Sequence, residues 1–139
     1  MIAYLDSSVL LRIVLGQPDA LKEWRKVRTG VASALVAVEC LRTLDRLRLI
    51  HRIADEAIAL RRETIYRLLE AVEVVELTAA VLSRAAQPFP TSLGTLDAIH
   101  LATAILWTER SAESIVMATH DTTLATAARA CGLEVVGSL

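Results

Sequence analysis

Four acidic residues stand out in this 139-residue chain because of where each one falls. Asp6 closes a short apolar run, Ile2 to Leu5. Asp97 opens a helical pattern directly after Gln87–Gly94, a loop with two prolines and a glycine. Asp121 follows the apolar run Ile115 to Ala118 by three residues. Each aspartate has a plain structural alternative, since Asp is a preferred residue at the start of a helix, where Ser7, Ser8 or Thr95 could share the task. Glu39 is harder to explain that way. It is the only charge in GVASALVAVECL, residues 30 to 41. A carboxylate in so apolar a stretch is costly unless it is paired or bound to a cation. An i,i+3 pair with Arg42 would return only a few tenths of a kcal/mol. Gathered together, four carboxylates repel and raise one another's pKa, and a divalent cation reverses that cost. Hard ions such as Mg²⁺ favour carboxylate oxygens. A bound ion can polarise a phosphoryl oxygen and activate a water for phosphodiester hydrolysis.

The elements that must carry these acids follow from the apolar pattern. Ile2–Leu5 reads as a strand, Ser7–Leu15 as a helix closed by Gly16, and Pro18 to about Arg28 as a second helix. Val31-Ala32 reads as a buried strand, with Ser33 capping a helix to about Leu49. His51 to about Ala71 is one solvated helix, Val72–Leu77 a strand, and Thr78 caps a short helix to Ala86. Thr95–Arg110 is a helix rich in small residues, Ser114–Ala118 a strand, Asp121–Ala130 a helix stopped by Gly132, and Leu133–Val136 a last strand. Short apolar strands alternating with helices predict an α/β fold, a parallel sheet covered on both faces. Ligand sites in such sheets lie at the carboxyl ends of the strands, where the three aspartates fall.

Composition narrows the function. The length suits one domain over residues 1–139, and 54% hydrophobic with 22% charged residues excludes a disordered or low-complexity chain. Mean hydropathy is high, +0.47, yet the longest uncharged stretches fall far short of the roughly 20 residues that cross a bilayer. The first residues lack a basic segment and do not read as a signal peptide. Cys40 and Cys131 have neither disulfide nor zinc-ligand spacing, so buried thiols and a reducing, cytoplasmic compartment are expected. A net charge of −1 excludes a broadly basic nucleic-acid coat but permits a local basic rim. Arg12 and Arg42 are the candidates for phosphate contacts, with ordinary solvated arginine as the alternative. Ser7 could donate to a phosphate or a ligand water, or simply cap its helix. His100, one turn after Asp97, could reach it but reads more readily as a packed helix histidine, and Trp24 and Trp107 read as core or interface.

At this point the motifs carry a resemblance. Tyr4-Leu5-Asp6-Ser7-Ser8, Glu39 in Val38-Glu39-Cys40-Leu41-Arg42, Leu96-Asp97-Ala98-Ile99-His100-Leu101-Ala102-Thr103-Ala104 and Ala118-Thr119-His120-Asp121 resemble the PIN-domain signature. Within that family the chain resembles the VapC-type ribonuclease toxins of bacterial toxin–antitoxin modules, along nearly its whole length. The resemblance implies a PIN-like three-layer α/β/α sandwich with a mostly parallel central sheet. It also implies an endoribonuclease using Mg²⁺ or Mn²⁺, with Asp6, Glu39, Asp97 and Asp121 as catalytic and metal-binding acids. Thr119 would hold a metal-bound water or a ligand, and His120 stands where the family often has a small polar residue. A homodimer and a cognate VapB-like antitoxin are implied as well.

Other classes fit less well. A receiver-like phosphoacceptor also sets acids at strand ends, but it needs a lysine near its last strand. The chain's only lysines are Lys22 and Lys26. A non-catalytic PIN-like scaffold is expected to lose at least one acid, and none is missing. A housekeeping RNA-processing nuclease stays open as the alternative to a toxin. The aliphatic cluster of Leu10-Leu11, Ile13-Val14-Leu15, Leu47, Leu49 and Ile50 predicts a groove for a partner helix, whose arginine would reach towards Glu39 and Asp97.

Overall fold

The computed structural model describes residues 1–138. Five strands, β1 (Ile2–Leu5), β2 (Thr29–Ser33), β3 (Glu73–Val75), β4 (Val116–Ala118) and β5 (Glu134–Val136), form one sheet in the order β3-β2-β1-β4-β5. Every pairing is parallel, so the expected "mostly parallel" sheet is wholly so. Six helices cover it: α1 (Ser7–Val14), α2 (Leu35–His51), α3 (Asp55–Glu70), α4 (Ala79–Ala85), α5 (Thr95–Ser111) and α6 (Thr122–Ala130).

Strand alternation assigns the two faces. Ala3, Leu5, Ala32 and Ala118 pack with Val9, Leu10, Val14, Val36, Cys40, Leu44 and Ile65 of α1, α2 and α3. Tyr4, Val31 and Met117 point the other way, against Leu101 and Ala104 of α5 and Leu124, Ala127 and Ala128 of α6. Leu44 and Ile65 are almost wholly buried, and burial of such a side chain contributes about 1.5–3 kcal/mol. The two layers of helix on one sheet are the expected α/β/α sandwich. No helix among the described residues is long and apolar enough to cross a membrane.

The central position of β1 puts its carboxyl end in the middle of the sheet edge. The register sets Leu5 beside Ala118, and the backbone N–H of Asp6 still donates to the Ala118 carbonyl at 3.1 Å. Two glycines matter here. Gly30 lies under Leu5, whose Cδ1 is 2.7 Å from where a Cβ would stand. Gly137, at φ +90°, lets the chain after β5 pass close to the Thr119 carbonyl.

Several expected elements differ. Pro18 does not open a helix to Arg28: the segment is a string of turns with one 3₁₀ turn at Trp24–Lys26. Its apolar residues are few, and only Leu21 is buried, so no helical stripe is available to pack. The boundary expected between Leu49 and His51 lies a few residues later: α2 runs through His51, Arg52 ends it in a left-handed conformation at φ 48°, and α3 starts at Asp55. Ser33 accepts from the Leu35 N–H at 3.1 Å, but the residue flanking α2 is Ala34. Of the two thiols, Cys40 is buried and Cys131 only half-buried. The aliphatic groove also divides. Leu10 and Val14 are core, Leu11, Ile13 and Leu15 are half-buried against it, and Leu49 and Ile50 are open, 64% and 70% exposed. Trp24 packs on the first core and Trp107 on the second.

Candidate active site

All four acids stand at the carboxyl edge of the sheet or on the helix turns that rise from it. Asp6 follows β1 and is 5% exposed. It occupies the capping position of α1, yet its carboxylate does not cap. The side chain instead turns into the protein, where Oδ2 accepts from Ser8 Oγ at 2.6 Å and from Thr119 Oγ1 at 2.9 Å. Thr119 Oγ1 in turn accepts from the Asp121 N–H at 3.0 Å, and Ser8 Oγ accepts from the His120 N–H at 3.0 Å. Two hydroxyls thus lock the end of β1 to the segment after β4.

The capping alternative holds for Asp121 alone: its Oδ1 accepts from the Leu124 N–H at 2.9 Å and starts α6. Asp97 lies in the first turn of α5, whose capping residue is Gly94. Among the described residues no hydrogen bond reaches its carboxylate. Its pKa is pushed up to about 6, first by burial, then by the charges of Asp121 and Asp6, with Glu39 adding and His100 opposing. That coupling is the electrostatic sign of a shared cluster.

Glu39, on α2, is half-buried and does not pair with Arg42, which is exposed. Its Oε1 instead lies 2.5 Å from Nε2 of His100, a nitrogen also 4.0 Å from Asp6 Oδ1. His100 is fully buried, and its Nδ1 is 2.6 Å from the Tyr4 hydroxyl. Burial lowers the imidazole's pKa, but the Glu39 hydrogen bond and charge, helped by Asp6 and Asp97, outweigh it and leave the value raised. Burial, above all, lifts the Tyr4 phenol well above its ordinary range, so it stays neutral. Burial likewise pushes the Cys40 thiol, next to Glu39 in sequence, up to about 12, with the Glu39 and Asp6 charges adding.

Of the remaining expected residues, Thr119 is at the site, whereas the serine bonded to Asp6 is Ser8 and not Ser7. One residue's rotation around the first turn of α1 makes that difference. Arg12 is paired with Asp19 at 2.8 Å. His100, Tyr4 and Ser8 were missed as site residues. The signal for two of them was present: His100 is three residues after Asp97 on one helix face, and a tyrosine in a buried strand needs a hydroxyl partner.

A residue-by-residue test of metal fit gives a divided answer. The donors are hard carboxylate oxygens, as Mg²⁺ or Mn²⁺ prefer. Asp97 has both oxygens open, and Asp6, Glu39 and Asp121 each keep one oxygen without a hydrogen bond among the described residues. Yet no three of the described His, Cys, Asp or Glu side chains are already drawn together as a ligand set.

Comparison with known proteins decides the family. A model of the PIN domain matches residues 3–130. The chain belongs to the PIN-domain family. Within the family it is similar to ribonuclease VapC46 of Mycobacterium tuberculosis, 31% identical over 137 residues and covering 96% of this chain and 95% of that one. Ribonuclease VapC47 of the same species is 29% identical over 103 residues, 73% of each chain. Solved structures of similar fold include VapBC2 of Rickettsia felis, bound to a promoter DNA fragment, with a TM-score of 0.67, 13% identity and 97% coverage of both chains. FitAB bound to a DNA fragment has the same TM-score at 15% identity, covering 97% of this chain and 93% of that one. The all-parallel sheet and the two helical layers are thus the PIN architecture.

Proposed function

We propose that this PIN domain is an endoribonuclease dependent on a divalent metal, Mg²⁺ or Mn²⁺, and the toxin of a toxin–antitoxin pair acting in the cytoplasm. The observation that carries the reading is Asp97: a carboxylate at the sheet's carboxyl edge, without a hydrogen-bond partner among the described residues and with its pKa raised to about 6 by burial and three other acids. Surplus negative charge at a ligand-binding edge is stabilised by a cation. Asp6, Glu39, Asp97 and Asp121 would hold it. Once bound, the ion would polarise a phosphoryl oxygen and lower the pKa of a water, which supplies the nucleophile.

The chain's own residues do the rest. Ser8 and Thr119 fix Asp6, and Thr119 also fixes the backbone of Asp121, so two of the acids keep their relative position without metal. Arg42, exposed one turn beyond Glu39, is the better placed arginine for an RNA phosphate; Arg12 would first have to leave Asp19. The names of the relatives support RNA as substrate, and the two solved complexes support an antitoxin partner of the VapB kind. Its docking surface would centre on the exposed Leu49, Ile50 and Leu60 of α2 and α3. A homodimer is the expected assembly.

Cleavage of a mixed RNA panel by the purified chain tests the reading. Mg²⁺ should switch cleavage on, EDTA should abolish it, and Asp97→Asn should be inactive. Metal-independent cleavage, or full activity of Asp97→Asn, overturns it.

A further inference from the structure

His100 is fully enclosed at the site, at 0% exposure, and the chemistry above gives it no task. Its two nitrogens face different partners. Nε2 lies on Glu39 Oε1 at 2.5 Å, and Nδ1 on the Tyr4 hydroxyl at 2.6 Å. The rings of Tyr4 and His100 meet edge to face, with centroids 5.8 Å apart and planes at 70°. Tyr4 belongs to the central strand and lies in turn against Ser33 and Thr103. Thr103 is anchored by its hydroxyl to the Ile99 carbonyl at 2.7 Å. A continuous line of contacts therefore runs from the middle of the sheet, through the imidazole, to a carboxylate on α2.

Glu39 needs such a tether more than the other acids do. Asp6 is held by Ser8 and Thr119, Asp121 by its own helix, and Asp97 by a short side chain in the first turn of α5. Glu39 has a longer, freer side chain on a helix whose nearby arginine does not pair with it. Three rotatable bonds leave its carboxylate poorly defined unless something fixes it. Groups that hold a metal ligand from behind commonly change metal affinity or activity about 10–100-fold when lost.

We propose that His100 is a positioning residue. Braced by Tyr4, it holds one oxygen of Glu39 on the α5 side of the site and leaves the other oxygen for a divalent cation or its water. The proposal rests on the metal-nuclease reading, and one readout is independent of it.

The test uses the full chain and three variants: His100→Leu, His100→Gln, which keeps an N–H able to reach Glu39, and Tyr4→Phe. Mn²⁺ alone, titrated without RNA, should bind about 10–100-fold more weakly to His100→Leu. His100→Gln should stay within a few-fold of the parent, and Tyr4→Phe should fall between. Cleavage should lose kcat with KM nearly unchanged. In metal-free protein, nitrogen-detected imidazole spectra should show the Nε2 proton of His100 shifted by Glu39→Gln. Parental Mn²⁺ affinity in folded His100→Leu overturns the proposal, as does a His100→Gln defect equal to that of His100→Leu. If His100→Leu does not fold, His100→Gln and Tyr4→Phe decide: parental binding in the first with weakened binding in the second supports the brace, and any other pattern overturns it. If the parent neither binds Mn²⁺ nor cuts RNA, the nuclease reading fails. The imidazole spectrum then decides the tether by itself, and no response to Glu39→Gln overturns it.

Discussion

Asp97→Asn separates charge from shape at the candidate site. The asparagine keeps the size of the side chain and removes its charge, at a position where no described hydrogen bond is lost. In the fold the carboxyl holds its proton up to about pH 6, against 3.8 in the unfolded chain. The native state therefore binds more protons between those values. Metal-free protein must lose stability as pH rises through that window and stay at the lower level above it. At about 1.4 kcal/mol per pH unit the ceiling is about 3 kcal/mol. Asp97 is only half-buried, so solvent screening reduces that to about 1 kcal/mol. For a chain of this length that is a melting temperature about 3–4 °C higher in the variant. The assay is thermal denaturation at pH 7.5 in EDTA, repeated near pH 4, where the advantage should vanish because the parent is also largely neutral. Mg²⁺ should then raise the parent's melting temperature and leave that of the variant nearly unmoved. A variant less stable than the parent in EDTA, or one with the parent's full response to Mg²⁺, refutes the reasoning.

Thr119→Val removes the hydroxyl shared by Asp6 and the Asp121 backbone. A loss of about 1–3 kcal/mol in urea unfolding, together with a marked fall in cleavage, is expected. Gly30→Ala should cost about 1–3 kcal/mol, because its Cβ meets Leu5 Cδ1 at 2.7 Å directly beneath the residue that precedes Asp6. Equilibrium unfolding of that variant checks the magnitude. The double change Leu49→Ser, Ile50→Ser should alter stability by less than about 0.5 kcal/mol per site, since both side chains are exposed. Pull-down with the co-expressed product of the neighbouring reading frame should nonetheless weaken.

The layers of the fold were legible because short apolar runs and helical patterns survive in the sequence. Ile2–Leu5 and Thr95–Ser111 came out within a residue or two. Pro18–Arg28 failed because helix signals at its start have no apolar stripe behind them, and the boundary between α2 and α3 was expected a few residues early because no glycine announces the left-handed Arg52. At the site, residue type alone marked the acids, since a charge in an apolar stretch is too costly to stand there without a partner or an ion. The acids' partners were less visible. Whether Ser7 or Ser8 meets Asp6 depends on about 100° of helix rotation, which no residue type encodes. The Glu39–His100 pair joins positions 61 apart in sequence, and only the packing of α2 and α5 on the sheet brings them together.

The position of β1 has a consequence for synthesis on the ribosome. The first strand made is the central one, and one of its two neighbours is β4, more than a hundred residues later. Asp6 therefore waits for Thr119, and the four carboxylates cannot share one edge on any nascent chain that lacks residues 116–121. Contacts of such long sequence separation form late and slowly. A chain stalled or cleaved before that segment could bury part of its first core yet carry no assembled acid cluster. The topology thus delays whatever the cluster does until translation of the domain is nearly complete.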